Sequence, residues 1–225
     1  MSQDRREGFE LAPIGWVRSP WPEKFGVPRQ SGLAQSEARI ELDPQRIPRE
    51  ALRGLEQVSH VWLVSWFHGL REAEPFRPTV RPPRLGGSQR LGVLATRSPH
   101  RPNPIGLSVV RLLAIDDRTL RVRGIDLLDG TPVLDIKPYL PWADVVADAT
   151  CEWADAAPRE LEVRFAAQVG AIDEALRAAI VDTLRWDPRP AHQRGDASRE
   201  YGMRLLEVDL RFRVDERGVE VLAIR

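Results

Sequence analysis

The chain has 225 residues, enough to bury the core of one large domain or two modest ones, and its 42% hydrophobic and 29% charged content excludes global disorder. No segment approaches the roughly 18 consecutive apolar residues of a membrane span. Residues 1–7 are polar and lead into no signal-type run, and a lone cysteine, Cys151, excludes an internal disulfide framework, so a cytoplasmic protein is expected. The formal net charge of zero argues against a general nucleic-acid binder, but the charge is unevenly placed. Residues 1–139 carry 21 basic and 16 acidic side chains, whereas residues 140–225 carry 12 and 17. Between Pro75 and Ile115 stand seven arginines (Arg77, Arg81, Arg84, Arg90, Arg97, Arg101, Arg111) without one Asp or Glu. That stretch is a candidate phosphate-facing surface. The plainer alternative is a habit of arginine use, since the chain has only two lysines, Lys24 and Lys137. Habit does not explain the missing acids.

In chain order, segments 14–18 and 38–42 favour strands. A short helix is expected over 47–57, with Pro48 in its first turn and Ala51, Leu52 and Leu55 on one face. Residues 61–67 are apolar on both faces, which predicts a central, fully buried strand. Further strands are predicted over 91–96, 107–115 and 119–128, with Asp116-Asp117 turning the last two into a hairpin. Six or so short strands with so little helix suggest a barrel or a strongly curved sheet. The connections 19–33, 76–89 and 97–106 are rich in Pro, Gly and Arg. They are too long for plain connectors and read as stiffened, functional loops.

Near residue 145 the pattern weakens and the charge changes sign, which marks a domain boundary. A strand is expected over 160–166, then a helix over 171–184 with Ile172, Leu176, Ala179, Ile180 and Leu184 on one face. Asp187-Pro188-Arg189-Pro190 ends that helix. Residues 206–214 alternate apolar with charged side chains as a half-buried strand, and Glu216-Arg217-Gly218 turns the chain into a last strand over 219–224. The fold expected is β-rich: a barrel-like antiparallel or mixed β domain (1–145) followed by a small α+β domain (146–225).

His60, His68, His100 and His192 do not sit at ligand spacings, and one cysteine cannot build a thiolate site, so no metal is expected. A Walker loop, a strand-linked G-x-G-x-x-G and a nucleophile elbow are all missing, which leaves a Rossmann-type cofactor domain and nucleophilic hydrolysis unsupported. Two clusters remain. The first, residues 97–106, packs Arg97, His100, Arg101 and Asn103 between prolines; it reads as a ligand-facing loop or, more plainly, as a rigid loop with solvated arginines. The second, residues 126–139, contains Asp126, Asp129, Asp135, Lys137 and Tyr139, and along 135–139 period two puts an acid, a base and a phenol on one strand face. Such a set can move a proton and orient a substrate. It can equally be a surface ion pair beside a packed tyrosine.

These segments together resemble the TsaA-like family of tRNA methyltransferases, the TrmO group, which act on N6 of adenosine-37 beside the anticodon. The resemblance is carried by Ile14-Gly15, Arg18-Ser19-Pro20, residues 23–30, Gly54-Leu55-Glu56, residues 59–62, residues 76–87, residues 92–106 and residues 126–141. Asp187-Pro188-Arg189-Pro190-Ala191 and the closing hairpin resemble the extra C-terminal domain of bacterial members. The resemblance implies a β-barrel-like catalytic domain with S-adenosylmethionine in a surface cleft, a homodimer, and tRNA bound at its anticodon stem-loop. The acceptor it implies is adenosine already carrying a threonylcarbamoyl group on N6. Donor-site positions of the family fall on Gln30-Ser31-Gly32, His68-Gly69, Arg97, Leu107 and Leu127-Leu128-Asp129-Gly130, with Ser31 standing where the family pattern has proline. Asp135 becomes the candidate base or orienter, Lys137 with Arg97 or Arg101 the charge stabiliser, and Tyr139 their companion. Arg77, Arg81, Arg84, Arg101 and Asn103 would face the RNA. Two alternatives are a methyltransferase of the same family with another acceptor, and a non-catalytic tRNA-binding module.

Overall fold

The computed structural model describes residues 10–70, 76–82, 89–154, 158–189, 193 and 196–225. Its first part is built from strands β1 (Gly15–Arg18), β2 (Glu37–Leu42), β3 (His60–Trp66), β6 (Ile105–Asp116), β7 (Thr119–Arg123) and β8 (Pro132–Pro138). They close a barrel in the order β1-β2-β7-β6-β3-β8, every pair antiparallel. Closure leaves no edge, so each strand's backbone groups find partners on both sides. The inward face is the core: Val17, Ile40, Val61, Leu63, Leu120, Val122 and Val133 are fully buried. Two further short strands, β4 (Thr79–Val80) and β5 (Leu91–Gly92), pair outside the barrel.

Several sequence expectations are corrected. β3 is central, lying between β6 and β8, but only Val61, Leu63 and Ser65 point inward; Trp62, Val64 and Trp66 face out, with Trp66 37% exposed. A closed barrel covers one face of each strand, whatever the other face carries. The helix expected over 47–57 is two 3-10 turns, Arg49–Leu52 and Leu55–Gln57, separated by Gly54 at φ 89, a left-handed conformation no right-handed helix passes through. The strand expected over 91–96 stops at Gly92 and continues as a 3-10 turn over Val93–Ala95. The strand expected over 119–128 ends at Arg123, where Gly124 adopts φ 86.

The second part is a four-stranded sheet, order β10-β11-β12-β9, with β9 parallel to β12. Its strands are β9 (Val163–Phe165), β10 (Glu200–Leu205), β11 (Val208–Asp215) and β12 (Gly218–Ile224). A single turn, α1 (Pro141–Asp144), leads out of the barrel, and the main helix is α2 (Glu174–Leu184). That helix starts later than expected because Asp173 caps it, its carboxylate accepting the Leu176 N–H at 2.8 Å. β10 is an element the sequence reading passed over. Tyr201, Met203 and Leu205 are buried at period two, and Leu206, at φ 53, belongs to the turn before β11. No helix among the described residues is long and apolar enough to cross a membrane.

Candidate active site

A cleft of about 970 Å³ opens where the barrel and the second sheet meet. That is the upper end of the ~300–1,000 Å³ typical of small-molecule sites. The three proline-rich connections converge on it: Lys24 and Gln30 from the first, Arg81 from the second, and Arg97, His100 and Arg101 from the third. Residues of the C-terminal part complete the wall, among them Trp153, Arg159, Leu161 and Trp186.

The first loop keeps its shape because the C-terminal part grips it along its length. Trp21 is fully buried, and its indole N–H donates to the Thr183 hydroxyl at 3.3 Å. Phe25 stacks on Phe212, ring centroids 6.2 Å apart. The Leu206 N–H donates to the Pro20 carbonyl at 2.8 Å, and the Arg204 N–H to the Glu23 carboxylate at 2.8 Å. Asp182 accepts the N–H groups of Gln35 and Ser36 at 2.6 and 2.7 Å and the Ser36 hydroxyl at 2.8 Å. The Arg29 guanidinium donates to the carbonyls of Asp187 and Arg189 at 3.0 and 2.9 Å. Gln30 then links this clamp to the third loop: its amide donates to the Arg29 carbonyl and accepts from Arg97 at 2.6 Å. The third loop braces itself, with Arg101 donating to the carbonyls of Thr96 and Ser98 at 3.1 and 3.2 Å.

Burial shifts two titratable groups on the wall toward their uncharged forms. Burial pushes the His68 imidazole below its ordinary value, assisted by Lys24 and opposed by Asp129. Burial raises the Asp126 carboxyl above the usual carboxylate range, against the Ser108 hydroxyl, the Ser31 backbone and the Arg97 charge, all of which favour its ionised form. The Ser108 hydroxyl donates to it at 2.5 Å.

Of the eleven positions expected at the donor site, Gln30, His68, Gly69, Arg97, Leu107, Leu127 and Leu128 lie on the cleft wall, and Ser31, Gly32, Asp129 and Gly130 are not among its lining residues. Gly32, at φ 80, donates to the Gly124 carbonyl at 2.8 Å. The Asp129 carboxylate accepts the Ser19 N–H at 3.0 Å, and Gly130, at φ 73, donates to the Val17 carbonyl at 2.9 Å. Arg81 and Arg101 line the cleft, whereas Arg77 and Asn103 are exposed beyond it and Arg84 lies outside the described residues.

Asp135 and Lys137 share the outward face of β8 and form an ion pair at 2.8 Å, with side chains 47% and 66% exposed. They are not part of the cleft wall. Tyr139 packs on Trp62 at 5.8 Å and His60 at 6.5 Å, and Trp62 does line the cleft. The trio therefore sits at the rim, joined to the cleft through one indole, an arrangement common to a proton-moving set and to a surface ion pair beside a packed tyrosine. Sequence reading put Asp126 in the 126–139 cluster without a role of its own, and missed Trp62, Trp153, Trp186 and Arg159. Asp126 was visible only as one acid in an acid-rich run, and the tryptophans carried no spacing signal. Among the described residues no cluster of His, Cys, Asp and Glu could hold a metal ion.

Comparison with known proteins bears on what fills such a cleft. Residues 16–145 match the family described as tRNA-methyltransferase O N-terminal domain, and residues 158–225 match the TrmO C-terminal domain. The tRNA (adenine(37)-N6)-methyltransferase of Escherichia coli (strain K12) is 44% identical over 230 residues, covering 96% of this chain and 97% of the relative. A Pseudomonas aeruginosa protein described as a putative S-adenosylmethionine-dependent methyltransferase, RcsF, is 49% identical over 209 residues, covering 89% and 90%. The crystal structure of TrmO from Pseudomonas aeruginosa superposes with a TM-score of 0.78 at 40% identity, covering 97% of this chain and 99% of that one. With both domains matched in order along one continuous cleft, the chain belongs to the tRNA-methyltransferase O family.

Proposed function

We propose that the chain is an S-adenosylmethionine-dependent methyltransferase acting on N6 of adenosine-37 in tRNA, and that its acceptor already carries a threonylcarbamoyl group on that nitrogen. The observation that carries this reading is the convergence of three arginine-bearing loops and seven expected donor-site positions on one cleft. S-adenosylmethionine supplies a methyl group already activated on a sulfonium, so the reading assigns no role to a metal.

The residues present fit that donor. Leu107, Leu127 and Leu128 give apolar surface for an adenine ring, and the Gln30–Arg97 pair gives polar groups for its charged end. A neutral His68 adds no positive charge to a wall that must accept a cation. Ser31, Gly32, Asp129 and Gly130 act by fixing the loops that carry these contacts.

On the acceptor side, a ureido N–H is more acidic than a free exocyclic amine, so a positioned carboxylate and nearby cations can stabilise the developing anion. Asp135 is the proposed base or orienter, Lys137 stabilises charge, and Tyr139 orients the base from its seat on Trp62. Asp135→Asn should then lower kcat at least tenfold while tRNA affinity changes less than threefold; equal losses in both would sink the base role. A second carboxyl competes for that role, because Asp126 lines the cleft and burial raises it above the usual carboxylate range. Arginines can grip the threonyl carboxylate in bidentate fashion. Arg77, Arg81, Arg84, Arg101 and Asn103 are proposed to meet the anticodon stem-loop.

Three coarser features complete the proposal. A homodimer is also proposed, on the outward face of β3 at Trp66, which is 37% exposed; Ile105 and Leu107 beside it belong to the cleft wall. The lone exposed Cys151 suits the cytoplasm. The catalytic domain is taken as 1–145 and the smaller domain as 146–225. The test is to incubate the protein with labelled S-adenosylmethionine and tRNA, with and without prior threonylcarbamoylation, and to identify methylated nucleosides by mass. Label on N6 only in the modified tRNA supports the whole reading. Donor binding without label in either tRNA would overturn the acceptor.

A further inference from the structure

Every proposed donor-site position on the cleft wall belongs to the barrel, which leaves the C-terminal part of the wall without an assigned ligand. That part is aromatic and carries one arginine, Arg159, and one acid, Asp187, which is paired with Arg189. Trp153 stands on a 3-10 turn, Glu152–Ala154, and Trp186 lies just past the end of α2. The Trp186 indole nitrogen is buried yet has no hydrogen-bond partner among the described residues. A buried indole N–H ordinarily finds an acceptor, because leaving it unpaired forfeits its hydration with nothing in return. Trp186 as a residue is half-buried and lines the cleft, so part of its side chain meets a ligand there while the N–H lies beneath the surface. Arg159, exposed on the same wall, enters no ion pair among the described residues.

We infer that this wall is the seat of the acceptor nucleobase, with Trp153 and Trp186 receiving the unstacked purine and Arg159 pairing with the anionic group beside it. The inference rests on the methyl-transfer reading above and assigns the C-terminal domain a direct part in substrate selection. Enzymes that act on a base inside folded RNA must take it out of its stack, and aromatic faces are what hold a splayed base. The acidic balance of the C-terminal domain fits this role, because a base presents a π-face where the backbone presents phosphate. The cleft, at about 970 Å³, is large enough to hold a nucleoside beside a donor.

The test measures donor and acceptor binding separately. By calorimetry, Trp186→Ala and Trp153→Ala should bind S-adenosylmethionine within twofold of the parent protein. Both should bind the free nucleoside N6-threonylcarbamoyladenosine about tenfold or more weakly, the loss expected when a base leaves an aromatic platform. Trp186→Phe keeps the ring and removes the N–H. It should keep nucleoside affinity within about threefold of the parent while unfolding at the same temperature or slightly higher, because an aromatic face remains and a buried unpaired donor has gone. Loss of donor affinity with nucleoside affinity intact would overturn the assignment, as would unchanged nucleoside affinity in both alanine variants. If the parent protein binds the nucleoside through these tryptophans but methylates no tRNA, the subsite stands and the methyl-transfer reading falls.

Discussion

The barrel and the C-terminal sheet solve different problems with opposite charge. The barrel half carries 21 basic against 16 acidic residues, and the remainder 12 against 17. The barrel half spends its excess on cleft arginines and on an exposed ladder where Arg121 and Arg123 share Glu37 at 3.1 and 2.8 Å. The C-terminal half turns carboxylates toward the barrel, as Asp182 does with Gln35 and Ser36. Its main contact with the barrel is the 19–33 loop, the same loop that carries Gln30. The comparison teaches that the smaller domain acts as a template: a stretch of chain rich in proline and glycine becomes a fixed wall because a second sheet is pressed against it.

That view can be broken in order of expected effect. Trp21→Ala removes the fully buried indole at the centre of the contact and should cost about 3–5 kcal/mol in urea unfolding, with donor affinity falling in parallel. A loss below 1 kcal/mol would mean the two parts stand independently. Asp182→Ala leaves two backbone N–H groups without their acceptor and should cost about 2–4 kcal/mol. It should also separate the single unfolding transition into two, read by comparing far-ultraviolet and tryptophan signals.

Gly106→Ala addresses the barrel side alone. An added methyl would meet the Ser65 hydroxyl at 2.5 Å and the Phe67 ring at 2.8 Å, so a loss of about 1–3 kcal/mol is expected without any splitting of the transition. The smallest effect concerns Asp126. Its carboxyl is raised from 3.8 in the fold, so the folded state keeps a proton that the unfolded state has lost, and this contribution fades as pH rises through the folded value. Asp126→Asn removes that dependence. The melting temperature of the Asn protein relative to the Asp protein should therefore rise as pH climbs above the ordinary carboxylate range. A difference independent of pH would show that Asp126 is ionised throughout.

Much of this was legible from residues alone. Alternating and apolar runs located β1, β2, β3, β6, β7, β11 and β12, because a strand with one covered face must repeat at period two. The three long loops declared themselves through Pro, Gly and Arg, residues that stiffen a connection and carry charge. β10 escaped because Gly202 and Arg204 dilute its apolar positions; Tyr201, Met203 and Leu205 are buried only because β11 lies beside them. Gly54 concealed the break in the expected helix, since its left-handed φ cannot be told from an ordinary glycine in the chain.

Sequence by itself determined the β-rich class, the charge division and the identity of the loops that matter, because these depend on local pattern and composition. Tertiary structure decided which members of those loops share a wall. His68, Arg97, Leu107, Asp126 and Trp186 span more than a hundred residues of chain, and only closure of the barrel with the second sheet docked on it brings them to one cleft. The same packing decided which groups change character there. Desolvation depends on what surrounds a side chain in space, so the burial that raises Asp126 and lowers His68 leaves no mark in the order of residues.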